Sequence, residues 1–391
     1  MRACPRLLIL AFSDMKRDAR VLRQVEHCIN KGYHVTVCAE TAPDLPVDFV
    51  SSRPPVRSFK DKAAQAWLLA RKQHDTFYWT HPRIQRALSG LSGKRFDLVI
   101  ANDIDTLPLA LRIAEGRPVL CDLHEYAPRE YDDRLLWRLL FGPYKQQLCD
   151  RYLGQCTGWT TVCEGIAREY RQQFGIHASI VLNAPARQDL RPQAMDDGIV
   201  RMIYHGSIHP SREVESVFDI LDRLDPRFVL DMILIPCHGQ QRYHQRILRR
   251  AEEHSRVRVL DPVPPRQIAT LCNTYDIGFF PLAATNFNYY YALPNKFFEF
   301  IQARTAVVTS RLPEMTRYID RYGCGAALEL PPELFAKGLN SLSHDAIWQM
   351  KCAADTAARE LCAENSLQVL QKLIENSLNP ESQHVRNLCP V

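Results

Sequence analysis

Short apolar runs and helical apolar stripes alternate along this chain. Leu7-Leu8-Ile9-Leu10-Ala11-Phe12 is an unbroken apolar run, the pattern of a strand buried on both faces. Residues 18 to 31 then place Val21, Leu22, Val25, Cys28 and Ile29 at helical spacing, and Gly32 ends that helix. Val35 to Ala39 predicts a second strand. The alternation continues through strands Leu98 to Ala101, Val119 to Cys121 and Gly158 to Val162, with helices after Asp105 and after Val162. The polar, Pro-containing stretch from Arg187 to Gly198 predicts a linker. Beyond it, strands are expected at Val200 to Tyr204, Val229 to Ile235, Val257 to Leu260, Ile277 to Phe280, Ala306 to Thr309 and Ala326 to Leu330, and a helical pattern at about 345 to 376.

This order predicts an α/β chain of two doubly wound, Rossmann-like domains, each a parallel sheet covered by helices on both faces. The expected boundaries are 1–187 and 188–359, with a C-terminal helix at about 360–391 packing back on the first domain. At 391 residues the chain exceeds what one core usually supports, so two domains agree with its length.

Composition narrows the function. Charges balance at 49 basic against 44 acidic residues, too evenly for bulk attraction to nucleic acid. The basic segment Gln240 to His254 carries one aromatic, Tyr243, rather than the interleaved aromatics of single-strand binders, so it is expected to be a solvated helix and no nucleic acid is expected as partner. No run approaches the roughly 18 to 20 uncharged apolar residues of a membrane span. The first apolar run leads into Asp14, Lys16, Arg17 and Asp18 rather than a cleavage site, so a cytoplasmic location is expected. Thirteen widely spaced cysteines in so large a chain suit reduced thiols. Cys149, Cys156 and Cys163, spaced by seven, are expected to pack on a buried helix face rather than to bind metal.

Ligands of open parallel sheets sit beyond the carboxyl ends of strands. The densest chemistry there is Tyr289-Tyr290-Tyr291-Ala292-Leu293-Pro294-Asn295-Lys296-Phe297-Phe298-Glu299, after the strand at 277 to 280. Pro294 suits the first turn of a helix, whose free amides and dipole favour an anion, and Lys296 adds a full positive charge. Glu299, one turn on, is placed to accept from a ribose diol. The competing reading makes Lys296 and Glu299 a solvent-facing pair at three-residue spacing.

This segment resembles the donor-site signature of glycosyltransferase family 4, in a Pro-Asn-Lys variant. Arg311-Leu312-Pro313-Glu314 and Tyr322-Gly323-Cys324-Gly325 resemble the strand, loop and glycine turn after that helix in the family. Asp18-Ala19-Arg20-Val21, Ala101-Asn102-Asp103 and Asp122-Leu123-His124-Glu125 resemble its opening and its two acceptor-side loops. The resemblance implies a GT-B arrangement, two Rossmann-like domains facing across a cleft, and a nucleotide diphosphate sugar as donor substrate. It further implies a retaining, metal-independent reaction with no cofactor. Gly206, Ser207, Arg212, Pro294, Asn295, Lys296 and Glu299 would bind donor, with Arg212 and Lys296 on the diphosphate. Asp18, Arg20, Asp103, His124 and Glu125 would lie on the acceptor side, and His124, Lys296 and Arg212 would be the catalytic set. Three departures stand out. The first glutamate of the family's pair falls near Tyr291, the glycine after the helix is replaced by Arg304-Thr305, and Ser207 stands where arginine is common.

Basic and aromatic residues mix between Val56 and Leu91 (Arg57, Lys60, Lys62, Phe59, Trp67) and again at Leu135-Leu136-Trp137-Arg138-Leu139-Leu140-Phe141. Core-packed helices explain that pattern, and so does an anionic membrane surface as partner, which would make the protein peripheral on the inner face of the cell membrane. The expected activity is glycosyl transfer onto a glycan or lipid-linked acceptor in polysaccharide or glycolipid assembly. The rivals are a nucleotide-sugar epimerase of the same architecture and a catalytically silent nucleotide-sugar-binding scaffold.

Overall fold

The computed structural model describes residues 4–56, 58–196, 198–237 and 239–379. The chain divides into two compact units. The first comprises residues 1–181, 286–288 and those from Leu367 onward, and the second residues 182–285 and 289–366. The break falls a little before the Pro-containing stretch, because strand Ser179–Ile180 still belongs to the first sheet.

The first unit holds β1 (Arg6–Leu10), β2 (His34–Ala39), β3 (Asp48–Ser51), β4 (Leu98–Asn102), β5 (Val119–Leu123), β6 (Gly158–Thr161) and β7 (Ser179–Ile180). Their order across the sheet is β3-β2-β1-β4-β5-β6-β7, with every pairing parallel. Leu7, Leu8, Ile9 and Leu10 are wholly buried, as helices on both faces require. The core around Leu7, Ile9, Val37 and Ile100 also takes in Leu370 and Ile374 of the last helix, Ala363–Leu378. The final stretch, 380–391, lies outside the described residues, as does Arg57. Residues 286–288 are fastened within this unit: Tyr126 N donates to Asn288 Oδ1 at 2.8 Å, and the Phe287 and Tyr126 rings lie 5.0 Å apart.

The second unit holds β8 (Val200–Ile208), β9 (Phe228–Pro236), β10 (Val257–Leu260), β11 (Ile277–Phe280), β12 (Ala306–Ser310) and β13 (Gly325–Leu328), in the order β10-β9-β8-β11-β12-β13, again parallel. In both sheets the strand order reverses beside the first strand, between β1 and β4 and between β8 and β11. A crevice for ligand opens at such a switch point. Helix Asn295–Gln302 lies against β11 because Gly278 has no side chain, and a Cβ there would sit 2.2 Å from Phe300 Cγ.

Strands β3 and β7 escaped the sequence pattern, being four and two residues long at the sheet edges. The pattern at 345 to 376 is two helices, His344–Glu360 and Ala363–Leu378. Helix Gln241–Glu253 buries Tyr243, Ile247 and Ala251 and directs Arg246 to Glu215 and Arg250 to Asp219, so its charges are paired with the neighbouring helix. The three cysteines spaced by seven are all buried, but in different places. Cys149 is in a helix, Cys156 follows a short 3-10 turn and Cys163 caps the next helix, so they share no helix face. Among the described residues no group of His, Cys, Asp and Glu side chains is arranged to hold a metal ion.

Candidate functional site

In the second unit the switch-point chemistry gathers around Lys296. Pro294 is the N-cap of helix Asn295–Gln302, one position outside the first turn, and makes no side-chain cap bond. Lys296 is only 7% exposed, which removes the solvent-facing pair as an explanation. Its Nζ lies over the Phe280 ring at 4.2 Å and the Tyr204 ring at 4.9 Å, without a hydrogen-bond partner among the described residues. Burial, reinforced by the Arg212 charge and opposed by Glu299, pushes this ammonium well below the ordinary lysine range.

Gly206, in β8, takes φ +127° and passes directly beneath Lys296, where a Cβ would meet Nζ at 2.7 Å. His205 is neutral: burial and Lys296 lower its pKa to about 3, so its 3.6 Å approach to Glu299 Oε2 is not an ion pair. His205 Nε2 and Asn295 Oδ1 join Lys296 Nζ as buried polar atoms lacking partners. Such atoms are costly to leave unmet, and these three lie in β8 and in the first turn of helix Asn295–Gln302. Arg212 Nη1 donates to Ser207 O at 2.9 Å, fixing the loop after β8, and Ser211 Oγ lies 3.1 Å from Tyr289 Oη.

The replaced glycine is accounted for. Arg304 stands at φ +61°, a conformation that favours glycine, and is 2% exposed. Its guanidinium donates to Asp355 Oδ1 at 2.8 Å and to Gln188 O at 2.8 Å, and these bonds hold the strained backbone.

In the first unit the hub is Asp122, at the end of β5 and 1% exposed. Its carboxylate receives Arg20 Nε at 2.8 Å and Nη2 at 2.6 Å, Thr160 Oγ1 at 2.6 Å and the Gln24 amide. Arg20 also donates to Val181 O at 2.7 Å. Burial alone would raise the Asp122 pKa, but Arg20 and His124 hold it well below the usual carboxylate range.

His124 stands on this base. Its Nε2 is 3.1 Å from Asn102 Oδ1 and 3.2 Å from Asp122 Oδ2, and its Nδ1 is 3.3 Å from Asp103 Oδ2. Burial disfavours the imidazolium, yet Asp103 and Asp122 outweigh it and raise the pKa to about 9. His124 is therefore a cation at neutral pH. Asp103, at φ +64°, also accepts from His124 N at 2.9 Å. Asp18 caps the first helix through Val21 N and accepts from Ser13 Oγ at 2.7 Å.

These groups border a cavity of about 390 Å³ whose wall includes Asp18, Asp103 and His124 together with Lys145, Trp137 and Tyr144. Of the expected acceptor-side residues, Asp18, Asp103 and His124 face it. Arg20 lies behind His124, 6% exposed and engaged with Asp122, so it positions the site instead of reaching a ligand. Glu125 is exposed and absent from the cavity wall.

Sequence reasoning missed the hub role of Asp122 and the parts played by Gln24, His205 and Lys145. Gln24 sits one turn after Arg20 on the same helix face, a spacing visible in the sequence. Lys145 joins Asp105 from forty positions away, with no local signal.

Residues 19–184 match the family described as Glycosyltransferase Family 4. None of the curated proteins matches the chain. Solved structures of similar fold include HepE from Anabaena in complex with UDP and glucose, at TM-score 0.66 and 15% identity, covering 95% of this chain and 99% of that one. Sucrose-phosphate synthase from Thermosynechococcus elongatus aligns at TM-score 0.69 and 12% identity, covering 95% and 98%. WaaG, a glycosyltransferase of lipopolysaccharide biosynthesis, aligns at 0.60 and 13%, covering 94% and 98%. The fold is therefore that of GT-B glycosyltransferases, two parallel-sheet Rossmann-like domains.

Proposed function

We propose that this chain transfers a sugar from a nucleotide diphosphate donor to a glycan or lipid-linked acceptor, with retention at the anomeric carbon and without a metal ion. The observation that carries this reading is the buried, unpartnered Lys296 ammonium above Gly206 at the switch point of the second sheet. A diphosphate seated there would supply the missing partner. Lys296, Arg212 and the start of helix Asn295–Gln302 would take up the charge that grows on the leaving diphosphate. Glu299 would receive the ribose hydroxyls, while Ser207 and Asn295 would border the phosphates.

The match of residues 19–184 to Glycosyltransferase Family 4 supports the transferase class over an epimerase. HepE is described with UDP-glucose, so uridine diphosphate sugars come first among donors to test. In the first unit, Asp18 and Asp103 would meet the acceptor, with the His124 imidazolium, its two N–H groups held by Asp103 and Asp122, keeping Asp103 in place beside it.

An anionic membrane surface fits the first unit. Phe59 and Trp67 of helix Phe59–Ala70 and Leu135, Leu136 and Leu139 of helix Leu135–Tyr152 are exposed, and the two helices pack together. Lys60, Lys62 and Arg138 flank them, as a surface of acidic lipid would require. No helix among the described residues is long and apolar enough to cross a membrane.

The deciding test is calorimetric titration of the full chain with UDP-, GDP- and ADP-sugars. One series should bind, with affinity lost in Lys296→Met. Absence of binding by every nucleotide sugar would end the proposal, and conversion of donor without acceptor would transfer it to an epimerase.

A further inference from the structure

The two candidate sites treat charge in opposite ways. In the second unit the buried Lys296 ammonium has no hydrogen-bond partner among the described residues. In the first-unit cavity the cations are already committed. Lys145 is held by Asp105 and by Glu130 at 3.1 Å, Arg83 by Glu40, and His124 by Asp103 and Asp122. Asp18 and Asp103 add carboxylates to the same wall. Each of the three is already ion-paired, though Arg83 Nε has no hydrogen-bond partner among the described residues, and an entering phosphate or carboxylate would face the like charge of the wall carboxylates Asp18, Asp103, Asp105 and Glu130.

Much of the remaining wall is aromatic. Phe77 and Tyr144 meet edge to face at 5.0 Å, Tyr131 and Trp137 at 6.0 Å, and Phe141 lies one turn beyond Trp137 on the same helix. Apolar rings with a few fixed polar groups are what a pocket needs to hold a molecule with one apolar face and several hydroxyls. The cavity, about 390 Å³, has the volume for a small ring system.

We infer that the first-unit cavity binds an uncharged sugar ring, stacked on the Trp137 and Phe141 side and hydrogen-bonded by Asp103 and Asp18, and that it discriminates against phosphorylated and uronic sugars. This names the acceptor class of the proposed glycosyl transfer and rests on that reading only for the word acceptor. Discrimination comes from the carboxylates of the wall, two of which, Asp105 and Glu130, already pair with Lys145.

Saturation-transfer NMR on the full chain tests this, with methyl glycosides of glucose, galactose, mannose and N-acetylglucosamine set against hexose phosphates and hexuronic acids. At least one neutral glycoside should bind roughly tenfold tighter than the phosphates. Its signal should vanish in Trp137→Ala and in Phe141→Ala, the latter at a partly exposed position that leaves the core intact, and persist in Lys296→Met. Asp105→Asn, which releases half of the clamp on Lys145, should move the preference toward hexose phosphates. Equal or tighter binding of a phosphate or uronate by the unaltered protein overturns the inference, as does neutral binding indifferent to both aromatic variants, or none at all. Because nucleotide binding is measured separately through Lys296, a failed acceptor class and a failed transferase reading give different results.

Discussion

Replacing Lys296 with methionine should make the ligand-free protein more stable and the enzyme far slower. The side chain is 7% exposed, and its ammonium has no hydrogen bond to offset burial. Leaving a donor unmet costs about 1–3 kcal/mol, and more when it is charged. The Phe280 and Tyr204 faces at 4.2 and 4.9 Å return about 0.5–2 kcal/mol. Methionine keeps the length and the ring contacts without the charge, so a net gain of about 1 kcal/mol is expected, a rise of roughly 2–4 °C in the melting of the second unit. The sign with pH follows from the depressed folded pKa. The penalty is complete at low pH and disappears as pH rises toward the ordinary lysine value of 10.5, so the advantage of methionine shrinks along the same path. Turnover should fall by about two to three orders of magnitude, the scale for one lost charge-stabilising donor. Thermal melts of the full chain at several pH values, beside initial rates with saturating donor, read both effects. A variant that melts lower at every pH, or one that turns over normally, refutes the account of Lys296 as an ammonium awaiting a diphosphate.

Asp122→Ala would strand Arg20 in a buried site and should destabilise the protein by about 3–5 kcal/mol in denaturant unfolding; a loss under 1 kcal/mol would deny the hub. The His124 imidazolium should stay protonated through neutral pH and titrate near 9 by NMR. Its contribution to stability is present in full below 6.5 and is lost as pH rises through about 9, and a midpoint under 6.5 would contradict the pairing with Asp103 and Asp122. Glu299→Ala should raise the donor KM more than it lowers kcat, and unaltered values of both would remove it from ribose binding. Leu136→Asp combined with Leu139→Asp should abolish flotation with anionic vesicles without lowering Tm, since both positions are exposed; undiminished flotation would place the membrane surface elsewhere.

Eleven of the thirteen strands among the described residues follow from local apolar runs, because parallel strands buried on both faces write that burial into contiguous sequence. The two that do not, Asp48–Ser51 and Ser179–Ile180, are edge strands half open to solvent, with too little apolar surface to leave a pattern. At the sites, residues next to a strand end could be named one by one, since their position depends only on the strand before them. Asp103 and His124 are of this kind, whereas Lys296 stands in the first turn of a helix and was named from its Pro-Asn entry. Partnership could not be named. Arg20 carries the same charge on paper as Lys296, yet one is saturated by Asp122, 102 positions away, and the other rests on two rings with no hydrogen-bond partner among the described residues.

By itself, then, the sequence determined the alternation of strand and helix, the presence of two sheets and the side chains that could stand at their carboxyl edges, because these depend on local periodicity and adjacency. Only the tertiary structure decided which charges are satisfied. Burial and pairing depend on what the chain brings together from afar, and it is there that His124 becomes a cation, Lys145 is closed off between Asp105 and Glu130, and Lys296 is buried without a hydrogen-bond partner among the described residues.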